Sequence, residues 1–181
     1  MTGFVCRICG FTHCNMQFDG LYSCGGCNVV FSTPLAFTLP EVKFKKLHPD
    51  SIAPVRAKEG DVGYDVCSIE DAVIEPLQVV MVKTGISVEL PPHTEIQVRP
   101  RSGLAKNYGI MVVNSPGTID TGYRGPCNVL LINTGTEDYT IRKGDKIAQF
   151  LVSTKMPYKF VEVDELGTSE RGAGGFGHTG R

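Results

Sequence analysis

The sequence predicts an all-β protein, a barrel or sandwich of the jelly-roll kind with one short helix, and three observations carry that expectation. Short runs of β-branched and apolar residues recur between residues 43 and 152, each closed off by Gly, Pro, Asn or Asp. Several of these runs alternate polar with apolar residues, the period of a sheet with one wet face. The chain also holds 21 Gly and 11 Pro but no Trp, which suits strands joined by turns better than long helices.

Taken in order, the predicted strands are Lys43–Leu47, Val79–Thr84, Ile86–Leu90, Thr94–Arg99, Ile110–Val113, Asn128–Ile132 and Ile147–Val152. Ser87-Val88-Glu89-Leu90 and Thr94-Glu95-Ile96-Gln97-Val98-Arg99 alternate most cleanly. The one helical piece is Ser102–Tyr108, about two turns long, stopped by Gly109 in the left-handed conformation that glycine adopts at little cost. In such a body the strands are the frame, and function collects on the loops they hold.

At 181 residues with 41% apolar content, the chain can build one ordinary core with a small appendage. Its 18 Lys and Arg against 19 Asp and Glu leave a net charge of −1, too little field to attract nucleic acid or an anionic membrane. No apolar run reaches membrane-span length, and Met1 to Gly10 lacks a secretion signal, so the expected location is cytoplasmic or nuclear.

Five of the seven cysteines fall in the first 27 residues. Cys6 and Cys9 form one C-x2-C pair and Cys24 and Cys27 another, with fourteen residues between the pairs, a spacing that lets two tight turns deliver four thiolates to one Zn²⁺. Too few apolar residues surround them to fold some thirty residues unaided, and metal binding would supply the stability. Cys14 and His13 stand as alternative ligands; disulfides suit a reducing compartment poorly, and unpaired buried thiols leave the paired spacing unexplained. A closed four-sulfur site has no open position for water, so the expected role is structural, with a protein partner as a further use of the module. The expected organisation is a zinc-ribbon-like module at 1–33, a linker at 34–42, a β-barrel at 43–166 and a Gly-rich C-terminal segment at 167–181.

Five segments carry candidate chemistry: Gly63-Tyr64-Asp65-Val66, Arg99-Pro100-Arg101-Ser102-Gly103-Leu104-Ala105, Gly117-Thr118-Ile119-Asp120-Thr121-Gly122-Tyr123-Arg124-Gly125, Lys143-Gly144-Asp145-Lys146-Ile147-Ala148-Gln149, and the tail Arg171 to Gly180. Arg101-Ser102-Gly103 opens the helix, where free N–H groups, a hydroxyl and a guanidinium can meet an anion. The simpler reading is an N-cap by Ser102 with Arg101 in solvent. Asp120 lies between glycine-bearing turns in a strand–turn–strand stretch that can fold as a hairpin, where an aspartate ordinarily forms the turn. Gln149 alone reads as a sheet-surface amide. The tail alone reads either as a loose end or as a loop that wraps a phosphate with backbone N–H groups and a cation from Arg171.

In this order and at these spacings the five segments resemble the motifs of the trimeric deoxyuridine triphosphate nucleotidohydrolases (dUTPases). The resemblance runs from about Lys43 to the C-terminus and leaves the cysteine head outside. It implies a jelly-roll-like dUTPase barrel that hydrolyses dUTP to dUMP and pyrophosphate, keeping uracil out of DNA and supplying dUMP for thymidylate synthesis. In that reading Asp120 is the general base for a water attacking the α phosphorus, Gln149 holds that water and a phosphate oxygen, and Arg101 supports the site electrostatically. Ser102 and Gly103 hold the α and β phosphates. The backbone of Gly117, Thr118 and Ile119, with Asn114, reads the uracil edge, and Tyr123 packs on the deoxyribose and leaves no room for a 2′-OH. Asp65 orders metal-bound water or neighbouring groups, and Asp145 is largely structural. The tail becomes a lid: Arg171 clamps the γ phosphate, Gly175 and Gly177 let the backbone wrap the triphosphate, Phe176 stacks on the base, and His178 and Thr179 add donors. His178 stands where many relatives carry Ser. Mg²⁺ is expected to ride on the triphosphate, and three copies are expected to share three sites, with the lid crossing to a neighbour.

The related dCTP deaminases, some bifunctional, share the barrel. They would favour a second Ser after Arg101-Ser102 and a Glu near Arg124, where this chain has Gly103 and Arg124. A catalytically silent barrel that serves as a binding or regulatory protein is a third reading.

Overall fold

The computed structural model describes residues 40–175 and 178, together with the backbone of 14–16, 22–24 and 30–31. In the head, β1 (Cys14–Met16), β2 (Tyr22–Cys24) and β3 (Val30–Phe31) pair antiparallel in that order, with Cys14 opposite Cys24. The zinc expectation falls on the side chains of Cys6, Cys9, Cys24 and Cys27, which lie outside the described residues.

The body runs β4 (Lys43–Lys46), β5 (Tyr64–Cys67), β6 (Ala72–Ile74), β7 (Val79–Val82), β8 (Ile86–Glu89), β9 (Thr94–Arg99), α1 (Ser102–Tyr108), β10 (Ile110–Val112), β11 (Gly117–Ile119), β12 (Val129–Asn133), β13 (Tyr139–Ile141) and β14 (Lys146–Thr154). Every pairing is antiparallel, in sheets ordered β11-β9-β14-β5, β10-β12-β7, β13-β6 and β4-β8. Among the described residues the all-β class with one short helix is therefore observed, and each of the seven expected strands is present within a few residues of its expected bounds. The helix ends as its sequence requires: Gly109 has φ 69° and its N–H bonds the carbonyls of Ala105 and Leu104, while a side chain there would collide with the Gly135 nitrogen at 2.7 Å.

The alternation in β9 becomes a two-faced strand, with Ile96 and Val98 buried and Arg99 exposed. Ile74, Val82, Ile86, Val129, Leu131 and Ile147 complete a dry centre, each at 1% exposure or less. The sheet β10-β12-β7 differs on its outer face, where Met81, Met111, Val113 and Leu130 are all exposed.

Four body strands, β5, β6, β11 and β13, go beyond the expected set. Each has only three or four residues, and partners distant in sequence decide their pairing. One correction concerns the stretch around Asp120. It is not a hairpin: β11 pairs with β9, whereas the next strand, β12, belongs to the other sheet between β10 and β7. The segment 120–128 is a crossover between sheets. Arg124 ties it together by donating to the carbonyls of Thr121 and Tyr123, and Ser87 Oγ donates to the carbonyl of Arg124.

Candidate active site

The expected site residues of the barrel lie along one strand, β9, and its neighbours. At the Arg99 end of β9, Gln149 on β14 lies opposite Arg99 on one side and Asp65 on the other. A β-bulge between Lys146 and Ala148 turns both Ile147 and Ala148 inward, at 1% and 0% exposure. The extra residue leaves Lys146 and Gln149 reaching the same carboxylate from positions three apart, which strict alternation would forbid.

That carboxylate is Asp65, whose side chain is only 4% exposed. Its Oδ2 accepts from Lys146 Nζ at 2.7 Å, and its Oδ1 accepts from Gln149 Nε2 at 3.1 Å and lies 3.3 Å from Arg101 Nε. Burial alone would push this carboxyl up, but the lysine, the amide and the guanidinium together outweigh it and hold Asp65 below the usual carboxylate range. Arg101 is thus not left to solvent. It occupies the N-cap position of α1 with no side-chain cap, and its Nη1 donates to the Lys146 carbonyl at 3.1 Å. Ser102 and Gly103 follow, both exposed, and the first-turn N–H groups there have no intrahelical partner.

Asp145 lies in the turn before β14, where its Oδ2 accepts from the Arg142 N–H at 2.8 Å. Two further residues belong to the Arg99 end, and sequence reasoning assigned neither. Lys146 stands within the segment that ends at Gln149 and Gly63 opens the segment that holds Asp65, each without a role of its own. A Cβ at Gly63 would lie 3.0 Å from Gln149 Cδ and Oε1, so the carboxamide lies directly against the backbone there. No local pattern could announce either contact, because Asp65 and Lys146 stand 81 residues apart.

At the Thr94 end of β9 the chemistry differs. Thr118 and Ile119 lie opposite Gln97 and Ile96, Asp120 follows at the strand's end, and Thr121 Oγ1 donates to the Thr94 carbonyl. Asp120 is exposed, and its carboxylate has no hydrogen bond to another described residue. Its carbonyl accepts from the Tyr123 N–H at 3.0 Å. Tyr123 is 44% exposed, and its hydroxyl donates to the Pro126 carbonyl at 3.1 Å. Gly125 leaves room for that ring, since a Cβ there would lie 2.6 Å from Tyr123 Cζ. The Asn114 carboxamide lies over Gly117, with Nδ2 3.0 Å from where a Cβ would stand.

Asp120 and Gln149 do not meet within one chain. Asp120 follows the Ile119–Ile96 pair while Gln149 lies opposite Arg99, some four residues of β9 apart or roughly 13 Å, on opposite sides of the strand; Gly117, opposite Val98, lies nearer the Arg99 end. The tail joins neither end by a hydrogen bond among the described residues. Arg171 Nε donates to its own Gly174 carbonyl at 2.8 Å, and the His178 N–H to Gly175 at 3.1 Å. Gly175 is half-buried and His178 exposed, while the expectations for Phe176, Gly177 and Thr179 lie outside the described residues.

A family model described as dUTPase matches residues 50–180. The chain belongs to the dUTPase family. The deoxyuridine 5'-triphosphate nucleotidohydrolase of Clostridium acetobutylicum is 51% identical over 139 residues, covering 77% of this chain and 96% of the relative. That of Clostridioides difficile is 52% identical over 139 residues, 77% and 97% of the two chains. Among solved structures, the Staphylococcus bacteriophage 80alpha dUTPase with dUpNHpp superposes with a TM-score of 0.74 at 26% identity, over 78% of this chain and 99% of that one. A point mutant of the dUTPase from phage phi11 of S. aureus, described with a coordinated structural Mg(II) ion, shares the fold with a TM-score of 0.65 at 23% identity, over 69% and 97%. As an enzyme of the dUTPase family, the chain carries its cysteine head before the matched span. No helix among the described residues is long and apolar enough to cross a membrane.

Proposed function

We propose that this dUTPase-family enzyme hydrolyses dUTP to dUMP and pyrophosphate, and that each of its sites is assembled from more than one copy of the chain. The observation that carries the reading is the division along β9. Arg101, Ser102 and Gln149 lie at one end and Asp120 and Tyr123 at the other, too far apart for a single water to touch both. A homotrimer that brings the Thr94 end of one copy against the Arg99 end of the next closes the gap. The exposed apolar face with Met81, Met111, Val113 and Leu130 supports such an assembly. So does the stretch after β14, where Tyr158, Phe160 and Leu166 are 81%, 99% and 87% exposed.

In the assembled site Asp120 takes a proton from a water held by Gln149. The water oxygen bonds to the α phosphorus as the α–β bridging P–O bond breaks, and pyrophosphate leaves. An exposed carboxylate with no described partner is open to accept that proton. Ser102, Gly103 and Arg101 hold the phosphates; Gly117, Thr118, Ile119 and Asn114 read the uracil edge, and Tyr123 excludes a 2′-OH. Arg171, Gly175, Phe176, Gly177, His178 and Thr179 close over the triphosphate as a lid. Asp65 and Asp145 hold neighbouring groups.

Mg²⁺ in this reading is carried in on the triphosphate. When bound, that ion would neutralise charge on the departing pyrophosphate. The zinc module rests on its sequence spacing alone, with Cys6, Cys9, Cys24 and Cys27 as thiolate ligands. The biological roles that follow are removal of dUTP and supply of dUMP inside the cell.

The test is incubation of purified protein with Mg²⁺ and each deoxynucleoside triphosphate in turn. dUMP and pyrophosphate from dUTP alone is the expected result. Ammonia from dCTP would establish the deaminase instead, and no product from any would support the silent barrel. Elemental analysis of the same sample should find about one zinc per chain.

A further inference from the structure

We propose that Lys146 is a positioning residue for this reaction, setting the orientation of the Gln149 carboxamide through Asp65. The inference rests on the dUTP-hydrolysis reading for the reaction it serves, while the contacts themselves are independent of it. An ionised carboxylate only accepts hydrogen bonds. The atom that Gln149 presents to Asp65 Oδ1 is therefore its Nε2, as observed at 3.1 Å, and Oε1, which lies against Gly63 and accepts from no other described residue, is left to accept from a water O–H.

Three contacts hold that orientation. Gly63 lies under the carboxamide, where nothing larger fits without moving it. Arg101 Nε, 3.3 Å from the same Oδ1, supports the oxygen that Gln149 uses. Lys146 Nζ, at 2.7 Å, takes the other oxygen and stops the carboxylate from rotating about its Cβ–Cγ bond. Among the described residues no other side chain bonds Oδ2. Lys146 also accepts from Arg101 Nη1 with its own carbonyl, so the bulged end of β14 touches both partners of Oδ1. Without the ammonium, the carboxylate and the amide are free to turn together, and a misplacement of this kind lowers turnover more than it lowers affinity.

The test compares Lys146→Met, Lys146→Arg and Gly63→Ala with wild type in the full-length protein, and uses Lys83→Met as a control. Lys83 pairs with Glu70 at 3.0 Å on the surface, its side chain 57% exposed. Lys146→Met should lower kcat roughly ten- to a hundredfold with KM for dUTP changed by less than about threefold. Lys146→Arg, which keeps a cation on Oδ2, should recover most of that loss. Gly63→Ala, which displaces the amide from its opposite side and leaves the ion pair intact, should reproduce the fall in kcat. It also keeps the proposal testable if Lys146→Met fails to fold. Wild-type kcat in Lys146→Met or Gly63→Ala, a rise in KM alone, or an arginine variant as poor as the methionine one would overturn the proposal. A second readout needs no turnover: the Gln149 side-chain NH₂ protons, identified by their loss in Gln149→Ala, should exchange slowly with solvent in wild type and rapidly in Lys146→Met. Equal exchange in the two would overturn the proposal even in an active enzyme. Slow wild-type exchange in a protein that cleaves no dUTP would instead count against the reaction and leave the positioning intact.

Discussion

The two ends of β9 use an aspartate in opposite ways. At the Arg99 end Asp65 is 3% exposed and meets a lysine, an arginine and an amide. At the Thr94 end Asp120 is exposed, with no side-chain partner among the described residues. A carboxylate surrounded by cations is held below its usual range and so takes up a proton poorly. In the proposed mechanism Asp65 holds other groups still, and the exposed Asp120 carries the proton transfer.

Three substitutions put that contrast at risk, in descending order of effect. Asp120→Asn should reduce turnover roughly 10²- to 10⁴-fold, with dUTP binding and thermal unfolding close to wild type; steady-state kinetics beside calorimetric titration measures both, and an active variant would erase the distinction between the ends. Ending the chain before Arg171 should cost roughly a hundredfold or more in turnover, the scale of lost contacts to developing charge. Its melting temperature should hold, because the tail's described hydrogen bonds are all local. A truncated enzyme at full speed would remove the lid from the account.

Asp65→Asn should lower turnover at least as far as Lys146→Met, because it removes the carboxylate that orients Gln149, and should also lower stability by about 2 kcal/mol because it unpairs cations already part-exposed to water. Its pH dependence sharpens the contrast. A carboxyl whose pKa is lowered on folding contributes stability above its unfolded value near ~4, and that contribution fades as the pH falls through the lower folded value. Wild type should therefore lose stability on acidification below about pH 4 more steeply than Asp65→Asn. Parallel unfolding curves over that window would mean the three donors do not hold the charge.

What the sequence discloses and what it conceals divide along a physical line. Strands of the body with clear alternation, such as Thr94–Arg99, could be read locally, and so could the helix, because Gly109 marks its end and local chemistry suffices there. The short strands Tyr64–Cys67 and Gly117–Ile119 could not, since their partners lie far along the chain and their residues suit a loop equally well. For the same reason the stretch at Asp120 resembled a hairpin until β12 proved to pair elsewhere. The site residues were legible as motifs in order, but the contacts that orient them were not. The bulge at Ile147 shifts Gln149 by one position, and no residue in Lys146-Ile147-Ala148-Gln149 announces it.

The claim on which the rest depends is that one site draws Asp120 and Gln149 from different copies of the chain, and subunit complementation tests it most directly. Asp120→Asn and Gln149→Ala are each expected to be nearly inactive. Unfolded together in equal amounts and refolded as mixed oligomers, they should recover about a quarter of wild-type activity, because one pairing in four unites an intact Asp120 with an intact Gln149. A mixture no more active than its parts, with mixed oligomers demonstrated by mass spectrometry, would mean that each chain builds its site alone and would contradict the account.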